Sequence, residues 1–559
     1  ENKYKDHMNK VIEQLSSTKL TVLVLFLWAV TIIFSWWFIP PKVDDGIYLV
    51  PAISVLQGHP PSVTFSTSIE PIFFIFPTQP FLHGVFLEIL NFLAVDIDIE
   101  THRLFNYISI IIIFYLIYRL FSVVFDNVIY QRAASNFSLI LLGLSQFSLQ
   151  FFVNRPEVLG LVFFILGLIY FIKFLRKIES VRFCVALSSF YFGVSSILHP
   201  NFLLLSSFML VYWIYIIFNT RSVFFLKYLT TFFIPVIIIL GWFLINIEAA
   251  QDQLFNRVEE VASNTLVSMP SVFNIFSVII GDTEKTFAHN FYLQAHMATL
   301  LVALLFLVFY LFRKENVQRN EVHVYKFFKI LALSIFALLL FIQPFRPYYL
   351  LISFLSIITV VFFFITHISS LNLDEQLGIR SDQKTYVKPL IYLISISLPL
   401  SLPILHTMKT YLSSGNYYNH HKTLNILTPF LTNNRHIFIT TAQLLPLFSE
   451  NISTDFHNTH FAKGRYIHWY FPVADSPGAR FKELMQQDIN IETHLMQDAI
   501  WGALIKTTSF NKQNTIACLS LKGGDFFINL YNPKILFKDK QNIFLTSSQV
   551  IPSNHCLNQ

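Results

Sequence analysis

Long apolar stretches recur through the first 410 residues of the chain, separated by short polar connections. Eleven of them approach the roughly 20 residues that a helix needs to cross a bilayer. They lie at about 20–40, 103–124, 136–153, 156–173, 183–198, 201–219, 228–247, 291–312, 327–344, 347–366 and 388–406. This pattern predicts a mainly α, polytopic membrane protein with about 11 transmembrane helices.

One apolar piece, at 80–95, is shorter than a span and contains His83 and Glu88. A short helix with polar residues in its apolar run is typical of a helix that lies along the membrane surface. We therefore expect this piece to be an interfacial helix in the loop after the first span.

Beyond residue 410 the chain becomes polar. Short runs at 437–440, 525–530 and 543–545 predict strands, and 442–449 predicts a helix. A segment of this length can bury a core of its own. We therefore expect a multi-span transmembrane domain at 1–409 and a small extracytoplasmic α/β domain at 410–559.

The composition agrees with a bilayer environment. Apolar residues make up 54% of the chain, and charged residues make up 13%, about half of the roughly 25% found in soluble domains. Mean hydropathy is +0.55. A water-soluble enzyme cannot bury that much apolar surface, and the same figures exclude a disordered, collagen-like or coiled-coil chain.

The positive charges indicate the topology. With a cytoplasmic N-terminus, twenty Lys and Arg residues fall on the cytoplasmic side and six on the opposite side before the last span ends. This is the positive-inside bias, and an odd number of spans then places 407–559 outside. The net charge of +6 therefore indicates topology and no nucleic-acid partner. Low Gly and abundant Phe, Ile, Asn and Lys are typical of an AT-rich bacterial genome, and we expect the chain to lie in the bacterial cytoplasmic (inner) membrane.

The cysteines and the common sequence motifs exclude only a few kinds of functional site. Cys184 lies in a span and is expected to pack there, whereas Cys518 and Cys556 fall in the outer domain, where a disulfide is permitted. No CxxC, HExxH, P-loop or GxGxxG pattern is present, so no structural zinc, ATPase or Rossmann site is predicted. The sequence requires no cofactor, and a divalent metal is an open alternative.

An acidic pair, Asp44 and Asp45, stands directly after the first span, at the boundary between water and lipid. Neighbouring residues share no face of a helix or strand. We therefore expect one carboxylate to enter a cavity while the other caps or hydrogen-bonds locally. The alternative is that the pair only caps a helix beginning near Gly46.

Cations and a histidine mark the outer ends of other spans. Arg155, Arg346 and His199 each neighbour a proline in a separate outer hairpin. Arg257 lies in a large outer loop, where a local pair with Glu260 is an alternative role. Arginine suits phosphate because its planar fork donates several hydrogen bonds. The simpler interpretations are that these cations snorkel to lipid phosphates and that the prolines end helices.

The loop after the first span carries short motifs in a characteristic order. They are Asp44-Asp45-Gly46-Ile47-Tyr48, Val55-Leu56-Gln57-Gly58-His59-Pro60, Glu70-Pro71, Pro77-Thr78-Gln79-Pro80-Phe81-Leu82 and Thr101-His102-Arg103-Leu104-Phe105. This series resembles the integral-membrane glycosyltransferases of the GT-C superfamily. The resemblance covers about 20–125 well and extends loosely, through the many spans, to about 406.

The resemblance implies that the multi-span domain is catalytic. It would transfer a hexosyl or pentosyl group, with inversion, from a polyprenyl-phosphate donor to a glycan, lipid or protein acceptor on the extracytoplasmic face. Asp44 would be the general base, with Asp45 as second choice. Candidate ligands of the donor phosphate are Arg155, Arg346, His199 and Arg257. Candidates for lining the acceptor side of the cavity are Tyr48, His59, Glu70, His83 and Glu157.

Glu157 has two further interpretations, since it could orient Arg155 or join another acid in binding a metal ion.

Other classes of membrane protein also stay open. A transporter of lipid-linked sugars would place charges inside its spans near the midplane. A polysaccharide polymerase or ligase would use similar donors, but with its key residues in mid-chain loops. A structural receptor would leave the acidic loop unexplained.

Overall fold

A computed structural model describes ten segments of the multi-span region and nine strands after residue 435. The ten segments are 10–38, 43–65, 68–72, 76–144, 155–178, 180–219, 226–248, 250–251, 322–341 and 350–376. Within them, residues 10–15 form a short helix, and Thr230–Phe232 form a 3-10 turn. The described helices are α1 Thr18–Phe38, α2 Val43–Leu56, α3 Thr78–Phe92, α4 Ile99–Val124, α5 Val128–Leu144, α6 Pro156–Arg176, α7 Val181–Ser196, α8 Pro200–Asn219, α9 Leu226–Leu229, α10 Phe233–Ile245, α11 Val322–Phe341 and α12 Leu350–Gln376.

Several described helices suit a bilayer. Three segments are long and apolar enough to cross one, judged by length and composition: Glu100–Val124, Pro156–Arg176 and Leu226–Ile245. Shorter apolar helices cover Thr18–Ile33, Asp45–Leu56, Asn201–Ile216 and Phe354–Ser369. The described part of the chain is thus that of a mainly helical membrane protein.

Nine of the eleven predicted spans overlap described helices. The predicted spans at 291–312 and 388–406 lie outside the described residues. The largest shift concerns the third span, since α5 begins at Val128 rather than at about 136. The Asn127 side chain accepts a hydrogen bond from the Ile129 N–H at 2.8 Å and so starts the helix among polar residues.

The start of α4 also differs from its prediction by a few residues. Asp98 is the N-cap: its carboxylate accepts from the Thr101 N–H at 2.8 Å, while the Thr101 hydroxyl accepts from the Asp98 N–H at 2.9 Å. This capping box extends the helix to Ile99, one turn before the apolar run. The extra turn places His102 and Arg103 on a helix rather than in a loop.

Helices α4 and α6 pack side by side and run parallel. Arg176, in the last turn of α6, donates to the main-chain oxygens of Val123 and Val124 at 2.9 and 3.3 Å. Arg176 also pairs with Asp126, just beyond α4. Cations favour the C-terminal ends of helices, where free carbonyls accumulate. Both helices therefore end together, and they begin at the opposite end of the bundle, which we call the head end.

Small residues allow close packing around α6. A Cβ at Gly160 would lie 2.7 Å from the Phe202 ring, and one at Gly167 would lie 2.7 Å from the Phe192 ring. Both phenylalanines are buried, on α8 and α7. Rings seated on glycines bring the three helices together without voids.

The strands form two sheets. In chain order they are β1 Ser62–Phe65, β2 Ser68–Pro71, β3 His436–Thr441, β4 Thr459–Phe461, β5 Ile467–Tyr470, β6 Ile500–Lys506, β7 Cys518–Gly523, β8 Phe526–Tyr531, β9 Lys534–Lys538, β10 Asn542–Ser547 and β11 Gln549–Ile551. One sheet has the order β2-β1-β4-β5-β3-β6-β10-β9, with β1–β4 and β3–β6 parallel, and the other has the order β11-β8-β7. The three predicted strands coincide with β3, β8 and β10. The predicted helix at 442–449 lies outside the described residues, and the domain boundary stays a prediction.

The β1–β2 hairpin joins the loop after the first span to the C-terminal sheet, because Phe65 of β1 pairs with Phe461 of β4. Ser54, which is fully buried, fixes the hairpin to α2. Its hydroxyl lies 2.9 Å from the Pro60 oxygen and accepts from the Ser62 N–H at 2.8 Å. The turn between α2 and β1 is therefore held by one side chain.

Candidate functional site

The acidic pair lies in the first turn of α2. Asp45 is only 1% exposed, so its carboxylate is inside the protein rather than at the surface. Asp44 belongs to the same turn, and its side chain lies outside the described positions. Tyr48, one turn later, is also buried. The predicted helix near Gly46 is thus present, and it begins at Val43, before the pair.

Beside Asp45 lies a group that we call the histidine cluster: Asp45, His83, His102 and Arg103, all buried. The His102 ring lies against the main chain of Asp45. The rings of His83 and His102 are 4.8 Å apart, and His83 stacks on Phe105 at 4.9 Å. Helices α2, α3 and α4 each contribute to this cluster, so the loop after the first span folds onto the start of α4.

Burial controls the charge of His83, which lies on α3 outside the spanning helices. Burial lowers the pKa of His83 from 6.5 to about 3, and a hydrogen bond with the His102 main chain raises the pKa by a smaller amount. A buried imidazole is easier to desolvate when neutral. At neutral pH His83 is therefore uncharged, and it offers hydrogen bonding and stacking rather than positive charge.

Arg103 is the cation of the histidine cluster. Its Nη1 donates to the main-chain oxygen of Trp36 at 3.2 Å. The Trp36 indole N–H donates in turn to the main-chain oxygen of Glu100 at 3.1 Å. Trp36 also packs on Tyr107, with ring centroids 5.9 Å apart. These contacts fix the last turns of α1 to the head end of α4, so the acidic pair that follows α1 is placed against α4.

A second group, which we call the Arg–Glu–His cluster, consists of Arg155, Glu157 and His199. The Nε of Arg155 donates to Oε2 of Glu157 at 3.1 Å, and Nη2 lies 2.7 Å from Oε1. Nε2 of His199 lies 3.4 Å from the same Oε1. The Glu157 side chain is fully buried, and that of Arg155 is 10% exposed. One carboxylate therefore holds both a guanidinium and an imidazole.

The local sequence explains this geometry. Arg155 is the N-cap of α6 in an extended conformation, and Pro156 occupies the first helical position, which suits its fixed φ. Glu157 then falls in the first turn, where a carboxylate complements the helix dipole. Nδ1 of His199 accepts from the Asn201 N–H at 3.3 Å. A neutral His199 therefore keeps its proton on Nε2, facing Glu157.

The two clusters lie at the same level of the bundle. Glu157 precedes Arg176 by 19 residues, about 28 Å along a helix at 1.5 Å per residue. Arg176 contacts Val123 on α4, and the same distance back along α4 reaches the turn of Arg103. Because α4 and α6 are packed and parallel, the carboxylate of one cluster and the guanidinium of the other face the same head end.

The other candidate residues fall in different places. His59 is half-buried in the turn after α2, and its N–H donates to the Ser54 oxygen at 2.9 Å. Glu70 lies in β2 opposite Val63, and its side chain is outside the described positions. Arg257 and Arg346 lie outside the described residues altogether. Cys184 is fully buried, as expected, and Cys556 is not described, so the disulfide with Cys518 stays a prediction.

Two members of the histidine cluster had no role in the predicted site. His102 and Arg103 were visible only as part of the motif that opens the second span. Their burial depends on the capping box that lengthens α4 and on the contact with Trp36, which sequence spacing does not show. Among the described residues, no three His, Cys, Asp or Glu side chains are grouped as they would be in a metal site.

No protein-family model matches the sequence, and no curated protein matches it by sequence. Solved structures similar to the chain include ArnT from Cupriavidus metallidurans bound to undecaprenyl phosphate, with 11% identity, a TM-score of 0.48, and coverage of 95% of this chain and 98% of ArnT. The apo state of ArnT gives 10% identity, a TM-score of 0.45 and coverage of 93% and 97%.

A third structure is the archaeal oligosaccharyltransferase AglB from Archaeoglobus fulgidus, in complex with an inhibitory peptide and a dolichol-phosphate. The identity is 12%, the TM-score is 0.40, and the match covers 69% of this chain and 56% of AglB. The chain therefore spans little more than half the length of AglB.

Proposed function

We propose that the chain is a membrane glycosyltransferase that transfers a sugar, with inversion, from a polyprenyl-phosphate donor to an acceptor at its head end. The observation that carries the proposal is the meeting of the acidic turn of α2 with buried cationic groups at one level of the bundle. Arg103 and Arg155 both lie in that layer, and the main chain of Asp45 contacts His102, the neighbour of Arg103 in the sequence. A base and anion-binding groups in one buried layer suit a reaction whose leaving group is a phosphate.

On the donor side, Arg155 and His199 would bind the phosphate, and Arg346 and Arg257 are further candidates from the sequence. Glu157 fixes the Arg155 fork through two contacts and so limits its rotamers. Phosphate oxygens accept bidentate hydrogen bonds from such a fork. A divalent metal is an additional candidate for charge neutralisation, and the transferred group is a hexosyl or pentosyl unit.

On the acceptor side, Asp44 would take the proton of the attacking hydroxyl. The acceptor oxygen forms a bond to the anomeric carbon, while the carbon–oxygen bond to the lipid phosphate breaks and its electrons leave with the phosphate. An aspartate near its reference pKa of about 3.9 is already ionised at neutral pH. Asp45 is the alternative base, and Tyr48, His59, Glu70 and His83 are candidates for lining the acceptor cavity. The acceptor itself is a glycan, lipid or protein.

The positions of buried charge favour this function over transport. Within the described residues, the buried Asp, Glu, Lys and Arg residues are Asp45, Glu100, Arg103 and Glu157. All four lie within the first two turns of their helices. A transporter of lipid-linked sugars would place such groups near the bilayer midplane.

The direct test uses the purified full chain in nanodiscs with undecaprenyl-phosphate-linked hexose and pentose donors, and an envelope extract as acceptor. We expect sugar transfer by the wild type and none by Asp44→Asn. The matched control is Asp96→Asn, an exposed aspartate of the same loop. Wild-type transfer by the Asp44→Asn, Asp45→Asn double variant would contradict the mechanism.

The predicted topology has its own test. The proposal places the N-terminus in the cytoplasm of a bacterium and 410–559 outside its inner membrane. A cysteine introduced near residue 480 should react in intact cells with a thiol reagent that does not cross that membrane. Labelling only after the membrane is opened would reverse the orientation.

A further inference from the structure

A groove lies at the end of the bundle opposite the head end, which we call the tail end. Trp36, near the end of α1, contacts the head end of α4, so the first turn of α1 lies at the tail end. The groove runs between the short helix 10–15, the start of α1 and α5, and its volume is about 750 Å³. We call it the tail groove, and its lining includes Lys10, Glu13, Lys19, Leu20, Leu23 and Ile140.

Hydrogen bonds fix the walls of the tail groove. The Nδ2 of Asn136, on α5, donates to the Leu15 main-chain oxygen at 2.7 Å and to the Thr21 hydroxyl at 2.9 Å. Its Oδ1 accepts from the Tyr118 hydroxyl, on α4, at 2.6 Å. Ile12, in the short helix, is buried in the hydrophobic core of the bundle. The short helix is therefore held against the spanning helices, and the groove is preformed, as binding sites for small molecules usually are.

The tail groove has an apolar wall and a cationic rim. Leu20, Leu23 and Ile140 form the apolar wall. Two lysines and one glutamate line the groove, so its net charge is positive, and both lysines are exposed. The stem of a lysine covers apolar surface while its ammonium group reaches the level of the lipid phosphates. This combination suits an amphiphile with an anionic head group.

The position of the tail groove favours a membrane lipid over a water-soluble anion. Leu23, Leu27 and Val30 recur at helical spacing on one face of α1, and each is about half exposed. In a bilayer, such a face of a spanning helix contacts acyl chains. The apolar wall of the groove is thus continuous, through Leu23, with a surface that lipid covers.

We infer that the tail groove binds an anionic phospholipid of the leaflet at the tail end. Its phosphate lies between Lys10 and Lys19, and one acyl chain follows the apolar wall towards Leu27. Glu13 accepts hydrogen bonds from the hydroxyl groups of a glycerol head, so phosphatidylglycerol fits this rim. The bound lipid joins the short helix to α1 and α5. This site lies at the opposite end of the bundle from both clusters and does not depend on sugar transfer.

The test measures lipid binding to the full, detergent-solubilised chain by native mass spectrometry. The probes are phosphatidylglycerol, phosphatidylcholine with the same acyl chains, and glycerol 3-phosphate, an anionic head without acyl chains. One variant, Lys10→Gln with Lys19→Gln, removes the cationic rim, and a second, Leu23→Trp, narrows the groove and keeps every charge. The matched control, Lys177→Gln with Lys326→Gln, removes two exposed lysines outside the groove. The melting temperature of each variant shows that it is folded.

We expect the variant without the cationic rim to bind phosphatidylglycerol about tenfold to hundredfold more weakly, since each lysine near a lipid phosphate adds severalfold to affinity. Leu23→Trp should also weaken this binding, because the acyl chain loses its place. The control should keep the wild-type affinity, and phosphatidylcholine should bind all the proteins alike. In the wild type, phosphatidylglycerol with a photoreactive acyl chain should crosslink to residues 20–27 or to Ile140.

Four results would overturn the inference. Wild-type affinity for phosphatidylglycerol in the variant without the cationic rim would mean that another part of the chain covers the groove. An equal loss of affinity in the control would assign the binding to net charge alone. Glycerol 3-phosphate that binds as tightly as phosphatidylglycerol would make the groove a site for a water-soluble anion. Crosslinks confined to other helices would place the lipid elsewhere. None of these results bears on sugar transfer, which Asp44→Asn tests separately.

Discussion

Glu157 binds Arg155 through both carboxylate oxygens, with Oε2 3.1 Å from Nε and Oε1 2.7 Å from Nη2. The same Oε1 lies 3.4 Å from Nε2 of His199. A fully buried carboxylate thus contacts two groups, Arg155 at the start of its own helix α6 and His199 at the start of α8. We expect Glu157 to position both groups, because a phosphate site needs their donors to point in one direction.

Replacing Glu157 by Gln should therefore lower stability and donor affinity together. Removing one charge of a buried pair leaves Arg155 uncompensated, at a cost of about 3 kcal/mol. The measurements are the melting temperature and the affinity for undecaprenyl phosphate. Glu88→Gln, an exposed glutamate on α3, is the control. If Glu157→Gln matched the wild type in both measurements, the positioning role would be wrong.

The close contact of α2 and α3 gives a second prediction. A Cβ at Gly84 would lie 2.5 Å from Cβ of Val55 and 2.6 Å from the oxygen of Ala52. Gly84→Ala must therefore push α3 from α2, at about 1–3 kcal/mol. Because α2 carries the acidic pair and α3 carries His83, transfer activity should fall with the melting temperature.

Gly241→Ala is the matched control for this glycine, because a Cβ at that position on α10 would meet nothing within 4 Å. Alanine favours a helix interior over glycine by about 1 kcal/mol. This variant should keep its activity and melt at or slightly above the wild-type temperature. If the two substitutions changed activity and melting temperature equally, the close contact between α2 and α3 would not be what maintains transfer activity.

Buried His83 predicts a dependence of stability on pH. Its pKa is about 3 in the folded protein, against an ordinary value of 6.5. Between these values the unfolded chain binds more protons, so the free energy of unfolding increases with pH. The contribution of His83 is complete above about pH 6.5 and is lost as the pH falls towards 3, with a slope of at most about 1.4 kcal/mol per pH unit.

His83→Gln should reduce the slope of the unfolding free energy with pH, because the variant lacks the one proton that His83 takes up on unfolding. The measurement is the melting temperature of the solubilised protein between about pH 4 and 7.5, compared with that of the wild type. His323→Gln is the control, since His323 is exposed on α11. An unchanged slope in His83→Gln would mean that another group titrates in this range.

Much of the helical layer could be predicted from the sequence, because the bilayer limits the length and polarity of spanning helices. The apolar runs that became α4 and α6 were located to within a few residues. Where a helix starts at a different residue from the predicted one, a capping side chain sets the start. Asp98 and Thr101 extend α4 by one turn, and Asn127 starts α5 early.

The site was harder to predict, since it depends on which side of each helix faces inward. Arg155, Glu157 and His199 are 44 residues apart at most, and the sequence suggested that they share a pocket. The burial of Arg103 and His102 could not be anticipated, because it depends on Trp36 and on the fold of the loop between α2 and α4. The pairing of β1 with β4 likewise joins segments that have no local relationship in sequence.

That pairing has a consequence for the order in which the protein is made. Phe65 emerges from the ribosome roughly 400 residues before its partner Phe461, a delay of about 20–80 s at usual rates of synthesis. Until then β1 is an open edge that could pair with another chain. The loop that carries the acidic pair therefore reaches its final form only after the C-terminal segment is complete. A chain that stops before residue 459 would insert its helices and still lack the strand that closes this edge.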